Sequence, residues 1–176
     1  MIRRVVKGFN EASLDYVFTG ALAASYYGVA RTTVDVDIMV YVSGASQRAK
    51  LISALRQAGL KVDARTVDKA LQSGYRIATF KDSKSAYDVD VIFSRERLKK
   101  RVGTVAGLSA FLQVPEDLIL AKLRMIKATV PRARALKDEE DVRATLKFTK
   151  VDIEAVKKKA RRDSTLSIFE LVRGSS

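Results

Sequence analysis

Two hydrophobic strands that each carry a pair of aspartates constrain this chain most. "TTVDVDIMVYV" (32–42) and "AYDVDVIF" (86–93) are β-branched and alternating, a pattern that predicts strands. Residues i and i+2 of a strand share a face, with Cα atoms roughly 6.5–7 Å apart. Asp35 and Asp37 therefore project side by side, and Asp88 and Asp90 repeat the arrangement. On the first strand Val34, Val36, Ile38 and Val40 form one face, and Thr33, Asp35, Asp37, Met39 and Tyr41 form the other. Neighbouring carboxylates repel unless a cation lies between them. The alternative is a strand with one solvated face, but acid in the middle with larger apolar residues beyond it is an unusual solvent face.

The residue types that are missing narrow the chemistry. The chain of 176 residues has no Cys and no His. Disulfides, thiolate metal sites, zinc–His sites and His-based triads are excluded. Catalysis, if there is any, rests on carboxylates, Lys, Arg, hydroxyls, backbone groups and hard metals. Oxygen-only ligands suit Mg²⁺ or Mn²⁺, which bind through one or two carboxylates plus substrate phosphates. If the two aspartate strands adjoin, three or four carboxylates converge, as in two-metal phosphoryl- or nucleotidyl-transfer sites.

Net charge is +13, which points to a polyanionic partner or to a solubilising surface. Residues 96–176 carry 19 basic and 11 acidic residues, so the C-terminal half reads as the more basic one. Its densest run is "KKKARR" (157–162), a polyanion patch or the solvated face of a terminal helix. No apolar run approaches the roughly 20 residues that span a bilayer, and "MIRRVVKGFNEASLDYVF" lacks a signal-peptide apolar region. The expectation is a cytoplasmic protein with no membrane partner.

Periodicity and punctuation predict the remaining elements. A short helix covers 2–13, a strand 15–20, an Ala-rich helix 21–28 ending at Gly28, and a helix 43–59 ending at Gly59. A short strand near 60–64 and a helix near 66–72 follow. "YRIATFK" (75–81) forms a hairpin with 86–93 through the polar turn "DSKS" (82–85). Residues 103–115 read as short extended pieces. Helices near 115–128, 137–148, 151–162 and 164–173 complete the chain, the first with Pro115 at its first position and Glu116 and Asp117 in its first turn.

Upstream of the first aspartate pair, Gly20 ends a strand and opens a helix. Backbone N–H groups at such a turn suit phosphate, and Gly allows close approach; an ordinary strand-to-helix turn is the plainer alternative. The full order is strand, Gly20-Ala21, helix, then "GVARTTVDVD" with Arg31. It resembles the nucleotidyltransferase superfamily with the polymerase-beta-type core, and "GALAASYYGVARTTVDVD" is similar to minimal nucleotidyltransferases and AbiEii-type toxins. Where that pattern has Gly-Gly or Gly-Ser, this chain has Gly20-Ala21, without the hydroxyl that commonly touches phosphate. The resemblance implies metal ligands at Asp35, Asp37 and Asp90, with Asp88 the alternative third carboxylate. It also implies triphosphate contacts at Gly20, Ala21 and Arg31.

Lys122 poses a separate problem. In "PEDLILAKLRMIKA" it lies mid-stripe among Leu118, Ile119, Met125 and Ile126. A buried ammonium must snorkel out or meet anions. The AbiEii-like branch carries a Lys on a helix of this kind, followed by an R-x-R-x-x-K-D-x-x-D segment, here "RARALKDEED" (132–141). The resemblance implies that Lys122 contacts phosphate or orients carboxylates, with Asp138 its acidic partner and Asp141 the alternative.

The expected fold is α+β: a nucleotidyltransferase-type core over residues 1–114, a small mixed sheet flanked by helices, with a C-terminal helical region over 115–176 packed on it. The expected function is Mg²⁺- or Mn²⁺-dependent transfer of a nucleoside monophosphate from an NTP to an acceptor. RNA such as a tRNA end is the implied acceptor, through the basic C-terminal half, and a toxin role would bring a cognate antitoxin as partner. Two other readings stay open: a nucleotidyltransferase fold that binds nucleotide or nucleic acid without catalysis, and a basic nucleic-acid-binding protein whose acidic pairs are structural.

Overall fold

The computed structural model describes residues 1–29 and 35–174, with backbone only for residues 132 and 134. Among them eight helices and six strands run α1 (Ile2–Glu11), β1 (Asp15–Phe18), α2 (Gly20–Tyr26), β2 (Asp35–Tyr41), α3 (Gly44–Gln57), α4 (Ala64–Gln72), β3 (Ile77–Lys81), β4 (Asp88–Ser94), β5 (Lys100–Val105), β6 (Leu108–Gln113), α5 (Pro115–Ala128), α6 (Leu136–Phe148), α7 (Ile153–Arg162) and α8 (Leu166–Gly174). The chain divides into a unit of Met1–Leu22 and Thr32–Gln113 and a unit of Ala23–Arg31 and Val114–Ser176.

The first unit holds one open mixed sheet in the order β3-β4-β2-β1-β6-β5. β2 and β4 are parallel neighbours at its centre, β1 runs antiparallel to β2, and β1 and β6 are parallel. The alternation read from sequence is present: Val36, Ile38 and Val40 are buried while Asp37, Met39 and Tyr41 are half-buried and Asp35 is exposed. β4 repeats it, with Val89, Val91 and Phe93 buried. On the buried side α1 packs against α3 and β6. Phe9 of α1 meets Tyr16 of β1 edge-to-face at 5.2 Å between ring centres, a geometry worth about 0.5–1.5 kcal/mol beyond the buried area.

Three sequence expectations are corrected here. Residues 60–64 form no strand; Leu60 makes only an isolated bridge with Asp82. Residues 103–115 are not separate extended pieces, because β5 and β6 pair as a hairpin with Val105 opposite Leu108. Its two turn residues, Ala106 and Gly107, both have positive φ (51° and 76°), as a two-residue hairpin turn of the right twist requires. Ala in place of Asn or Asp hid that turn, and the charged, exposed face of β5, which forms a sheet edge, hid the strand. Residues 75–76 precede β3, since Arg76 is left-handed at φ 53°.

The second unit is helical. Ile119, Leu120, Leu123 and Ile126 of α5 bury against Val142 of α6, Val156 and Ala160 of α7, and Phe169 and Val172 of α8. Pro115 starts α5 as expected, and Asp152 caps α7 by accepting from the Ala155 N–H at 2.9 Å. No helix among the described residues is long and apolar enough to cross a membrane.

Candidate active site

The sheet unit brings its four strand aspartates into two rows. In the parallel β2/β4 ladder Asp35 stands opposite Asp88, and Asp37 opposite Asp90. Adjacent strands lie about 4.8 Å apart, so each pair shares one face of the sheet, side by side. The β3/β4 ladder extends both rows, with Lys81 beside Asp88 and Thr79 beside Asp90. The Thr79 hydroxyl donates to Asp90 Oδ1 at 2.5 Å. One row further along, Ile77, Ile92 and Met39 replace the acids.

Gly20 closes the row on the Asp37 side. Its φ is +59°, a left-handed conformation that L side chains resist. A Cβ there would stand 2.0 Å from Asp37 Oδ2 and 2.8 Å from its Cγ. The turn backbone is therefore packed directly on this carboxylate. The Thr19 N–H donates to the Asp37 carbonyl at 3.0 Å, which fastens the end of β1 to β2. Behind it the buried Thr19 hydroxyl donates to Gln113 Oε1 at 2.5 Å, and Gln113 Nε2 faces the sulfur of Met39 at 3.5 Å. Ala21 is buried in the first turn of α2. Arg31 lies outside the described residues.

In the helical unit Lys122 neither snorkels nor stands alone. It is 9% exposed, and its ammonium bridges two carboxylates of α6, Asp138 at 2.8 Å and Asp141 at 2.7 Å. The sequence offered these as alternatives; both are partners, because i and i+3 on α6 face the same side.

The comparisons bear on the fold. No family profile and no curated protein matches the sequence. Solved structures do. The antibiotic-resistance factor ANT(2'')-Ia in solution aligns at a TM-score of 0.64 and 15% identity, over 94% of this chain and 92% of that one. ANT(2'')-Ia in complex with adenylyl-2''-tobramycin gives 0.64 and 14%, over 92% and 95%. An antigenic nucleotidyltransferase-like protein from Paracoccidioides brasiliensis gives 0.61 and 15%, over 94% and 90%. The chain has the nucleotidyltransferase fold.

On this nucleotidyltransferase fold the donor set can be tested against a divalent ion. Its groups are carboxylates, the hard oxygen donors that Mg²⁺ takes, and Mg²⁺ needs only one or two of them when substrate phosphates complete its shell. Asp37 and Asp90 meet that requirement through their register. Among the described residues no three carboxylates draw together into a cluster able to hold an ion. Asp35 sits one row away from Asp37, about 6.5–7 Å along the strand, so the expected trio is present as strand register and not as a closed site.

Basic charge is in excess on both parts of the chain. Residues 1–113 carry 18 basic and 10 acidic residues, and residues 114–176 carry 15 and 10. The stretch 97–101, which weighted the C-terminal half, leads into and opens β5 of the sheet unit. Thr79 and Gln113 are the site residues that sequence reasoning missed. The hairpin register read from the turn 82–85 sets Thr79 beside Asp88 and not Asp90, and no sequence signal marks Gln113.

Proposed function

We propose that this chain is a nucleotidyltransferase that moves a nucleoside monophosphate from an NTP to an acceptor hydroxyl. The observation that carries the reading is the row Gly20–Asp37–Asp90: a side-chain-free turn packed on one carboxylate, with a second carboxylate in register beside it. The turn at Gly20 and Ala21 contacts the triphosphate through its backbone N–H groups. A bound Mg²⁺ or Mn²⁺ would neutralise triphosphate charge and polarise the α-phosphoryl group; Asp37 and Asp90 would hold it, with Asp35 of the next row as third carboxylate. Asp90 accepts the proton of the acceptor hydroxyl as its oxygen attacks the α-phosphorus. The α–β phosphoanhydride bond breaks and pyrophosphate leaves. Thr79 holds one oxygen of Asp90 and so aims the other. Lys122 serves the helical unit as counter-ion to Asp138 and Asp141.

The net charge of +13 supports RNA as the acceptor, through sequence-independent phosphate attraction. The resemblance to AbiEii-type toxins supports a tRNA end, with an antitoxin as partner. Incubation with labelled NTPs, Mg²⁺ and total RNA tests the reaction. Wild type should label RNA and Asp37→Ala should not. Equal labelling by both would sink the assigned site, and no labelling of any acceptor would count against the enzyme.

A further inference from the structure

We infer that a groove on the helical unit binds a single-stranded stretch of nucleic acid, with phosphates on Arg143, Lys147 and Arg173 and a base stacked on Phe148. This rests on the reading above that the acceptor is a nucleic acid, and it names where that strand is gripped.

The groove encloses about 780 Å³ between α6, the start of α7 and the end of α8. Three cations line it, against one carboxylate, Glu140. Arg143 is only loosely engaged, 3.6 Å from Glu139. Neither Lys147 nor Arg173 makes an ion pair among the described residues. In the densest basic run of the sequence Lys158, Arg161 and Arg162 likewise make no ion pair among the described residues, while two others are compensated. In α7 Lys157 pairs with Glu170 at 3.2 Å and Lys159 with Asp117 at 2.5 Å. Uncompensated charge on this unit thus lies on that run and also in the groove, where it meets an aromatic ring.

Phe148 supplies the second half of the argument. It is the last residue of α6, lines the groove and is 62% exposed. Its ring is nevertheless held in place. Gly28, at φ +103°, lies so close that a Cβ there would stand 3.0 Å from Phe148 Cβ and Cδ2. The ring is thus seated on backbone on one side and open to solvent on the other, with the Lys147 ammonium 5.4 Å from its centre. An anchored, solvent-facing aromatic among cations is the combination that single-stranded nucleic acids use: charge tracks the backbone and any base can stack. Apolar Leu146 and Ile153 beside it give the base edge a dry wall.

The test is fluorescence anisotropy with labelled 12-mers of uridylate and of thymidylate, using the full chain. Wild type should bind both; tighter uridylate binding would identify RNA as the source of the shared chemistry. Lys147→Glu combined with Arg173→Glu should weaken binding more than about tenfold and flatten its salt dependence, because two phosphate contacts are lost. Phe148→Ala should weaken it about fivefold or more with the salt dependence unchanged, and Phe148→Tyr should restore it. Both sets change exposed side chains, and circular dichroism checks that each variant folds. Unchanged affinity in folded groove variants would overturn the inference; if Asp37→Ala still abolished RNA labelling, the proposed reaction would stand without it. A wild-type dimer that Phe148→Ala dissolves in sedimentation would overturn it too, since the groove would then hold a second copy of the chain.

Discussion

A Cβ added to Gly20 would lie 2.0 Å from Oδ2 of Asp37. No flexible side chain separates the turn from the carboxylate, so the two positions are coupled. Gly20→Ala should destabilise the fold, by about 1–2 kcal/mol from its left-handed φ alone and more from the overlap. In an Asp37→Ala background the Oδ2 and Cγ contacts vanish and only the one to Cβ, at 3.1 Å, remains. The cost of Gly20→Ala should then fall by about 1 kcal/mol or more, read from urea melts of the four chains as a double-mutant cycle. Additive costs would show that the turn does not rest on Asp37.

The register of Asp37 against Asp90 predicts a response to metal. Like charges directly opposite one another cost about 0.2–1 kcal/mol. Asp37→Asn removes that repulsion together with one of the two carboxylates of the row. Mn²⁺ should raise the melting temperature of wild type and leave Asp37→Asn unmoved. A wild type indifferent to Mn²⁺ in the presence of NTP would argue that the acidic rows are structural.

Thr79 is expected to act through Asp90, to which its hydroxyl donates. Thr79→Val keeps the shape and removes the donor. Loss of one hydrogen bond to a charged group is worth about 1.5–3 kcal/mol, so kcat should fall about tenfold or more. KM for NTP should hold, because Thr79 lies on the Asp90 side of the row, away from Gly20. Thr79→Ser should recover most of the rate. A rise in KM with kcat unchanged would place Thr79 in substrate binding instead.

How the sequence revealed Asp90 but not Thr79 follows from loop length. The two strands were legible because their apolar residues alternate with period two, and a period-two pattern assigns each side chain to a face. Register between strands is a different quantity, set by the turn. The four-residue turn 82–85 would set Lys81 against Ala86, and so Thr79 against Asp88. The strands instead end at Lys81 and resume at Asp88, and the Asp82 side chain between them accepts from Ser85 and Arg4. Two extra residues slide the pairing by one row and put Thr79 against Asp90. Lys122 was legible as a misfit on an apolar stripe, and its partners were legible only as alternatives. That both bind it depends on the turn of α6 that aligns Asp138 with Asp141. The groove at Phe148 left no local pattern at all, because its walls come from three helices and its aromatic ring is seated against Gly28.

Asp82 should make part of the stability of the sheet unit depend on pH. Burial pushes its carboxyl upward, but the Ser85 hydroxyl and the Arg4 guanidinium at 2.6 Å outweigh this and hold it below the ordinary value of 3.8. The folded value lies below the unfolded one, so the contribution is complete above the unfolded value and is lost as pH falls through the folded one. Asp82→Asn should therefore melt lower than wild type at pH about 7, with the gap narrowing at pH about 3. A gap of constant size would mean that Asp82 acts by packing and not by charge.

Lys122 bridges two carboxylates, and Asp141, whose side chain is 1% exposed, has almost no access to water. Lys122→Met keeps the length of the side chain and removes its charge. It leaves Asp138 and Asp141 facing one another without their common counter-ion, and breaking a buried pair from one side costs about 3–5 kcal/mol. The variant should lose that much in urea denaturation. Adding Asp141→Asn should return part of it, since an amide needs no cation and can still accept and donate. Asp138→Asn should return less, because Asp138 is the more exposed of the two and water already screens it. Equal losses in the single and double variants would show that Lys122 contributes through its methylene stem alone.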